Sequence, residues 1–215
     1  GVWLPDGTII YAPEYSGGLW RVPEGGGQSE LMVDVDADRN ERTYRFPHAT
    51  PDGDLVLFTI GTLDSPNNYE NAVIAVCSLR TGERSTVIER ANMARFMGRA
   101  RIVFARAGDL YAVRFDPDNM RALGEAVPVI EDVGGDPSSG AGYFSIADNG
   151  TITWLAGAVT ATDALLTVVD ETGTIVPVAE LATEPGDTFG SDDIGSTFVP
   201  ITLESPPERH SAFAL

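Results

Sequence analysis

The hydrophobic positions of the chain fall into short runs that repeat. Four of these runs end on an aromatic residue, at Tyr11, Phe58, Phe104 and Trp154, with spacings of 47, 46 and 50 residues. Three of them begin after Asp-Gly or Asn-Gly, which supply the positive φ of a tight hairpin turn. The run after Gly98 has lost this turn signal. A recurring turn followed by an apolar run predicts a repeated β-hairpin.

Each repeat also contains a second apolar run, and two repeats show a third run after a glycine-bearing turn. The second runs lie at residues 19–22, 73–77, 110–113 and 165–169. Such a unit is a small antiparallel meander of about 46 to 50 residues, which matches one four-stranded blade of a β-propeller. A β-sandwich also has short strands, but it does not predict one motif at a fixed period.

We therefore predict an all-β chain of about four β-propeller blades, which form a partial propeller. The blade units occupy residues 1–181 and open near residues 5, 51, 98 and 148. Residues 182–215 carry no repeat, so we interpret them as a divergent tail, a linker or a degenerate blade. Because Gly1 opens almost directly on a repeat, we expect the chain to be part of a longer protein.

The large aromatic residues are expected in the core between blades. Trp3, Trp20 and Trp154 lie in or beside the repeated runs, which favours packing between blades over a sugar-binding platform. Cys77 is the only cysteine and lies within the apolar run 73–77. We expect it to be a small buried hydrophobic residue, and a single cysteine excludes an intrachain disulfide.

Four stretches resemble a known group of bacterial propellers. They are residues 19–27, 45–53, 115–129 and 144–151. In order and spacing these stretches resemble the TolB-like, WD40-like (PD40) β-propellers, of the kind attached to serine/threonine protein kinases. The resemblance covers residues 1 to about 181. It implies a propeller of about six to eight blades that acts as a sensing or interaction module without shared catalytic residues. It also favours a periplasmic or extracytoplasmic location.

The chain is strongly acidic. It has 32 Asp and Glu residues against 14 basic residues, all of them arginine, and a formal net charge of −18. Such a surface repels nucleic acid and anionic lipid, because both are bound mainly through lysine and arginine. The sequence shows neither a signal peptide nor an apolar stretch long enough to insert into a membrane. The residues themselves leave the compartment open, and we interpret the net charge as serving solubility.

Arg45 and His48 are the candidate ligand-binding residues. They lie just ahead of the turn at 51–53, on a strand that borders the central channel in propellers. There they are expected to contact an anion or another ligand at the mouth of the channel. The alternative is that both side chains form hydrogen bonds to neighbouring blades, because buried polar groups usually have structural partners.

The sequence predicts no metal site and no cofactor. Asp34, Asp36 and Asp38 are spaced like the first ligands of a calcium-binding loop, but the EF-hand pattern needs glycine and glutamate where this chain has Arg39 and Arg45. We interpret the acidic run as a solvated loop between blades. One cysteine and two distant histidines are also too few for a zinc site.

These observations favour a non-enzymatic propeller module for binding, scaffolding or sensing, with a protein, a peptide or a small ligand at the channel. The sequence contains no Gly-x-Ser-x-Gly nucleophile motif. The alternative is a propeller hydrolase, or the accessory domain of a peptidase- or lactonase-type enzyme. Since four blades rarely close a ring, we expect that the chain either associates with itself through open blade edges or needs further blades that this sequence lacks.

Overall fold

The described part of the chain is built from β-strands. The computed structural model describes residues 1–157 and the backbone of two further strands, Asp163–Val169 and Ile175–Ala182. These residues form 18 strands and one short 3₁₀ helix at Ala37–Arg39, without an α-helix. In this part of the chain no helix is long and apolar enough to cross a lipid bilayer. The prediction of an all-β fold is confirmed. The tail that we placed at residues 182–215 lies outside the described residues, except for Ala182 at the end of the last strand.

Sixteen of the strands form four antiparallel sheets, each with its four strands in chain order. We call these sheets blades 1 to 4. Blade 1 consists of β1 (Val2–Trp3), β2 (Thr8–Tyr11), β3 (Leu19–Pro23) and β4 (Glu30–Val33). Blade 2 consists of β5 (Glu41–Ala49), β6 (Leu55–Thr62), β7 (Val73–Ser78) and β8 (Arg84–Glu89).

Blade 3 consists of β9 (Asn92–Met97), β10 (Arg101–Arg106), β11 (Asp109–Asp116) and β12 (Arg121–Ile130). A two-stranded hairpin follows, formed by β13 (Gly135–Asp136) and β14 (Ala141–Gly142). Blade 4 consists of β15 (Phe144–Ile146), β16 (Ile152–Leu155), β17 (Asp163–Val169) and β18 (Ile175–Ala182). Four sheets of this topology are consistent with the predicted partial β-propeller.

The repeated turns join the first strand of each blade to the second. Gly7, Gly53 and Gly150 have φ angles of 84°, 75° and 87°, as an Asp-Gly or Asn-Gly turn requires. Gly98 has a φ of 63°, so this turn keeps its left-handed glycine even though the Asp-Gly pair is lost. Each sheet consequently begins one strand ahead of the turn that marks its sequence unit. The sheets begin at Val2, Glu41, Asn92 and Phe144.

Three hydrophobic cores lie between successive blades, and each has an aliphatic side and a side that carries aromatic residues. The earlier blade contributes mainly aliphatic side chains, such as Leu19 in blade 1 and Leu57 in blade 2. The later blade contributes the strand-ending aromatic residue. These are Phe58, Phe104 and Trp154, which are 1%, 0% and 8% exposed. Burial of these large side chains is the main favourable term that holds the blades together.

Blade 1 departs from the core that we expected. Trp154 lies between blades 3 and 4 as predicted, but the prediction for Trp3 was wrong, because its side chain is 61% exposed. Trp20 is only half-buried. Both residues lie on the face of blade 1 that points away from blade 2, and no described strand covers that face. Cys77 is buried between blades 1 and 2, as expected for a small hydrophobic residue.

Candidate ligand site on the innermost strands

The first strands of the blades lie innermost in the arc. β1 contacts β5, β5 contacts β9, and β9 contacts β15, so these strands follow one another around its centre. β5 carries Arg45 and His48, and β9 carries Arg95. The structure thus brings both predicted residues to the centre, together with an arginine that the sequence analysis did not single out.

A β-bulge in β5 separates the two predicted residues. The register of β5 against β6 shifts between Arg45 and His48, so Phe46 and Pro47 form the irregular part of the strand. Pro47 has no N–H to donate to the ladder, and a proline inside a strand favours a bulge at that point. Phe46 has a φ of 54°, and its carbonyl accepts a hydrogen bond from Nη1 of Arg95 at 3.4 Å. The bulge therefore presents a backbone acceptor to the next innermost strand.

Arg45 connects three separate segments through its guanidinium group. Nη1 donates to the carbonyl of Ser139 at 3.2 Å, and Nη2 donates to the carbonyl of Tyr15 at 3.2 Å. The guanidinium carbon also lies 5.4 Å from the centre of the Tyr15 ring and 5.1 Å from that of Tyr69. A cation between two aromatic rings is favoured by the negative potential of their faces. Arg45 is thus held at one end of the centre, where these loops meet.

His48 forms a hydrogen bond to the neighbouring blade. Its Nδ1 accepts the backbone N–H of Phe96 at 3.1 Å, so a neutral imidazole carries its proton on Nε2. Burial lowers the pKa of His48 to about 4, and the positive charge of Arg95 acts in the same direction. At neutral pH His48 is therefore an uncharged ring that fixes blade 3 through one nitrogen and keeps an N–H donor on the other.

Arg95 is a half-buried cation of this site. Its Nη1 donates to the carbonyls of Phe46 and Ala94, at 3.4 and 3.1 Å. Burial lowers the pKa of the guanidinium to about 10, so it stays protonated at neutral pH. The sequence contained one signal that could have identified Arg95, because an Arg-Phe pair occurs both on β5, at residues 45–46, and on β9, at residues 95–96.

The loop between β6 and β7 places Tyr69 beside Arg45. Residues 64–71 have the composition of a polar loop, yet Tyr69 is 2% exposed. A Cβ added to Gly61 would lie 2.8 Å from its ring, and a Cβ added to Gly140 would lie 2.7 Å from it. These distances are shorter than real Cβ contacts, so two glycines form the slot that holds this ring. The backbone N–H of Tyr69 also donates to the carbonyl of Pro137 at 3.1 Å.

Two buried hydroxyl groups lie next to Gly61. Neither Oγ1 of Thr43 nor the hydroxyl of Tyr69 has a hydrogen-bond partner among the residues that the structure describes. Burial raises the pKa of the Tyr69 hydroxyl, against the opposing effect of the charges on Arg45 and Arg42. Tyr69 therefore contributes mainly a ring to the site, through its packing and its contact with Arg45.

Carboxylates of the acidic run accept hydrogen bonds from backbone N–H groups of their own loop. Oδ1 of Asp34 accepts the N–H of Val35, and Oδ1 of Asp36 accepts the N–H of Asp38 and so caps the 3₁₀ helix. Within the described ranges, no group of three His, Cys, Asp or Glu residues is placed to hold a metal ion. These contacts account for the acidic run as a local turn structure.

An ion pair in blade 2 also binds the backbone of the acidic loop. Glu41 is 5% exposed, and its Oε2 accepts from Nη1 of Arg84 at 2.8 Å and from the backbone N–H of Asp36 at 2.9 Å. The hydroxyl of Tyr44 donates to the same oxygen. One carboxylate oxygen thus receives three donors, which is the arrangement that a buried charge needs.

The fold of the chain is that of TolB-like β-propellers. A putative TolB from Agrobacterium tumefaciens matches with a TM-score of 0.59 at 15% identity, over 84% of this chain and 64% of that structure. TolB from Acinetobacter baumannii matches with a TM-score of 0.55 at 19% identity, over 81% of this chain and 41% of that one. The predicted resemblance is confirmed at the level of the fold, and attachment to a kinase stays a prediction.

An enzyme has a similar fold. An oligogalacturonate lyase in complex with manganese matches with a TM-score of 0.56 at 14% identity, over 84% of this chain and 52% of that structure. The chain therefore spans between 41% and 64% of the length of these three solved structures. No family model matches the chain, and no curated protein matches it. The shared fold is thus found in TolB proteins and in a lyase.

Proposed function

We propose that the chain is a non-enzymatic propeller module that binds an anionic group at the centre of its blades. The group is a carboxylate or phosphate carried by a protein, a peptide or a small ligand. Arg45 and Arg95 supply the positive charge, and Nε2–H of His48 supplies a neutral donor. This proposal keeps the two residues that the sequence suggested and adds the arginine on β9.

One observation carries the proposal. Among the described residues, no carboxylate lies within 4.0 Å of the guanidinium nitrogens of Arg45 or Arg95, although the chain has 32 acidic residues. Other arginines do form such pairs, for example Arg84 with the buried Glu41. Both central cations donate instead to neutral backbone carbonyls. They favour an anion from outside the described residues.

The chemistry of the guanidinium group supports an anionic ligand. Each guanidinium has five N–H donors, and the contacts to backbone carbonyls use only part of this capacity at Arg45 and Arg95. Charge-assisted hydrogen bonds to carboxylate or phosphate are stronger than bonds to neutral carbonyls. Partial burial strengthens them further because water screens the charges less. An anion at either arginine thus gains a fixed cation as its partner.

The loops beside Arg45 give the ligand a surface to contact. Tyr15 is 77% exposed, and the centre of its ring lies 5.4 Å from the guanidinium carbon of Arg45. Exposed tyrosines are common in binding surfaces, because a rigid ring and one hydroxyl offer contact area at low entropy cost. Loops at the end of a propeller are also its usual binding elements.

Thermal unfolding with simple anions tests the proposal. Inorganic phosphate and succinate would be titrated into the full chain at constant ionic strength, with sodium chloride as the balancing salt. We expect a saturable rise in Tm of about 2 °C or more, because a ligand that binds only the folded state stabilises it. Arg95→Met and Arg45→Met should each lose most of that rise. Arg114→Met, at an exposed position on β11, is the matched control and should keep it.

The result that would overturn the proposal is a Tm that follows ionic strength alone, or equal anion responses in Arg95→Met and Arg114→Met. If Arg95→Met does not fold, the change in the Tm of Arg45→Met with added anion decides whether the proposal holds. The alternative of a propeller hydrolase, or of an accessory domain of a peptidase- or lactonase-type enzyme, stays a prediction for the whole protein. None of the contacts described above favours it over the binding module.

A further inference from the structure

The turn between the first two strands of blade 4 contains the only asparagine of the chain that is followed by glycine. Asn149 is exposed at this turn. Gly150 has a φ of 87°, and no atom outside its chain neighbours lies within 4 Å of the position of an added Cβ. A glycine leaves its backbone nitrogen open to approach, because it carries no side chain. Solvent and the neighbouring carboxamide can therefore both reach the main chain here.

The side chain of Asn149 is bonded to the backbone that follows it. Its Oδ1 accepts the N–H of Thr151 at 3.0 Å, which forms an Asx turn. The ring that this hydrogen bond closes contains both the carboxamide carbon Cγ and the backbone nitrogen of Gly150, so these two atoms stay close to one another. The nitrogen itself donates to the carbonyl of Ala147 at 2.9 Å. The turn thus holds an electrophilic carbon near a backbone nitrogen at an exposed position.

We propose that Asn149 is a site of spontaneous deamidation. The hydrogen bond to Ala147 opens, and the backbone nitrogen of Gly150 loses its proton to solvent base and attacks Cγ of Asn149. The bond between Cγ and the carboxamide nitrogen breaks, and that nitrogen takes up a proton from water and leaves as ammonia. The product is a cyclic imide, a succinimide, which water then opens.

The succinimide opens in two ways. If water breaks the new bond between Cγ and the nitrogen of Gly150, residue 149 becomes an ordinary aspartate. If water breaks the original peptide bond instead, the main chain runs through Cγ and residue 149 becomes an isoaspartate. Both products gain one carboxylate in place of a neutral amide.

Blades 1 and 2 show that the aspartate product fits the turn. The equivalent residues are Asp6 and Asp52, and Oδ1 of each accepts the N–H two residues further on, at 2.9 and 3.1 Å. The glycine after each of them donates to the carbonyl three residues back, at 3.0 and 2.8 Å, as in blade 4. Aspartate at position 149 therefore keeps both hydrogen bonds of the turn.

The isoaspartate product is incompatible with the same turn. Its main chain is longer by one carbon atom, and the former side-chain oxygen becomes a main-chain carbonyl, so the hydrogen bonds to Ala147 and Thr151 lose their geometry. The turn joins β15 to β16, which carries Trp154 in the core between blades 3 and 4. We therefore expect isoaspartate, and not aspartate, to destabilise blade 4.

Mass spectrometry after cleavage at arginine measures the conversion at this residue alone. Residues 122–209 lie between two arginines and contain no asparagine or glutamine besides Asn149. Residues 115–121 are the internal control, because their only amide side chain is that of the exposed Asn119, which precedes the buried Met120. The folded chain would be kept in warm, mildly alkaline buffer, since the attacking nitrogen then loses its proton more readily.

We expect the peptide 122–209 to gain about 1 Da as NH₂ is replaced by OH, several times faster than the peptide 115–121. Equal rates in the two peptides, or no gain in 122–209, would overturn the proposal. Asn149→Asp should show no gain in this peptide and should keep its Tm within about 2 °C of fresh wild type. A larger fall in Tm would contradict the inference that the turn accepts aspartate.

Discussion

Nδ1 of His48 accepts the backbone N–H of Phe96 at 3.1 Å, which joins the innermost strands of blades 2 and 3. The hydrogen bond needs an unprotonated Nδ1, so it is compatible only with the neutral ring. Arg95 lies close enough to lower the pKa of the ring further. This hydrogen bond between the two blades therefore depends on the protonation state of one side chain.

The stability of the chain should fall as the pH drops below 7. The pKa of His48 is about 4 in the folded chain, against an ordinary value of 6.5, so between these values the unfolded chain binds more protons. Stability linked to His48 is then present above pH 6.5 and is lost towards pH 4. We expect about 2 kcal/mol less free energy of unfolding from this residue at pH 5 than at pH 7. Urea unfolding at both pH values measures it.

The control for this pH effect is His48→Asn, whose Oδ1 can accept the same N–H without titrating. Its free energy of unfolding should vary less between pH 7 and pH 5 than that of the wild type, by about the 2 kcal/mol assigned to His48. Equal pH slopes in the two proteins would show that other groups cause the loss.

Removing the carboxylate of Glu41 should destabilise the chain strongly. Glu41→Ala leaves the half-buried Arg84 without its anion and removes one of the two acceptors of the Tyr44 hydroxyl. We expect a loss of about 3 kcal/mol or more in the free energy of unfolding. Glu30→Ala breaks the Arg21–Glu30 pair, whose side chains are 53% and 65% exposed, and should cost less than about 1 kcal/mol. Chemical denaturation of both variants measures the difference, and similar losses would contradict the burial argument.

Substitution of Gly140 should be more damaging than substitution of another glycine with the same backbone angle. Gly140 has a φ of 76°, and its added Cβ would lie 2.7 Å from the Tyr69 ring. Gly82 has a φ of 73° and nothing within 4 Å of its Cβ position. Gly82→Ala should therefore report only the backbone strain, about 1 kcal/mol. Gly140→Ala should cost about 2 kcal/mol more, through displacement of the ring.

Thermal unfolding of the two glycine variants at one pH gives the comparison. If both alanines lower the Tm equally, the slot around Tyr69 is loose enough to accept a methyl group, and the tight packing inferred for that loop is wrong.

The sequence predicted the fold well because the relevant signals are local. An Asp-Gly turn and an apolar run determine a hairpin without reference to the rest of the chain, and the aromatic period at Phe58, Phe104 and Trp154 identified the three cores. The same reasoning failed for Trp3. Its pattern is that of a core residue, but whether it is buried depends on a further blade that no local signal reveals.

The candidate site was predictable only in part. The position of Arg45 and His48 before a turn placed them on an innermost strand, which follows from the order of strands in a blade. Arg95 and Tyr69 were missed because their roles arise from contacts between separate segments. Pro47 could have indicated the bulge that exposes the Phe46 carbonyl, since a proline inside a strand cannot join the ladder.

The contacts of Arg45 and Tyr69 also affect how the chain unfolds. Nη1 of Arg45 donates to the carbonyl of Ser139, 94 residues away in sequence, and the Tyr69 ring packs against Gly140. Blade 2 therefore contacts the hairpin that precedes blade 4. In a simple array each repeat touches only its neighbours, and the repeats can detach one at a time. Here the contacts join segments on either side of blade 3 in the sequence, so blade 3 lies within a loop that side chains close. We therefore expect blades 2 and 3 and the hairpin to unfold as one cooperative unit.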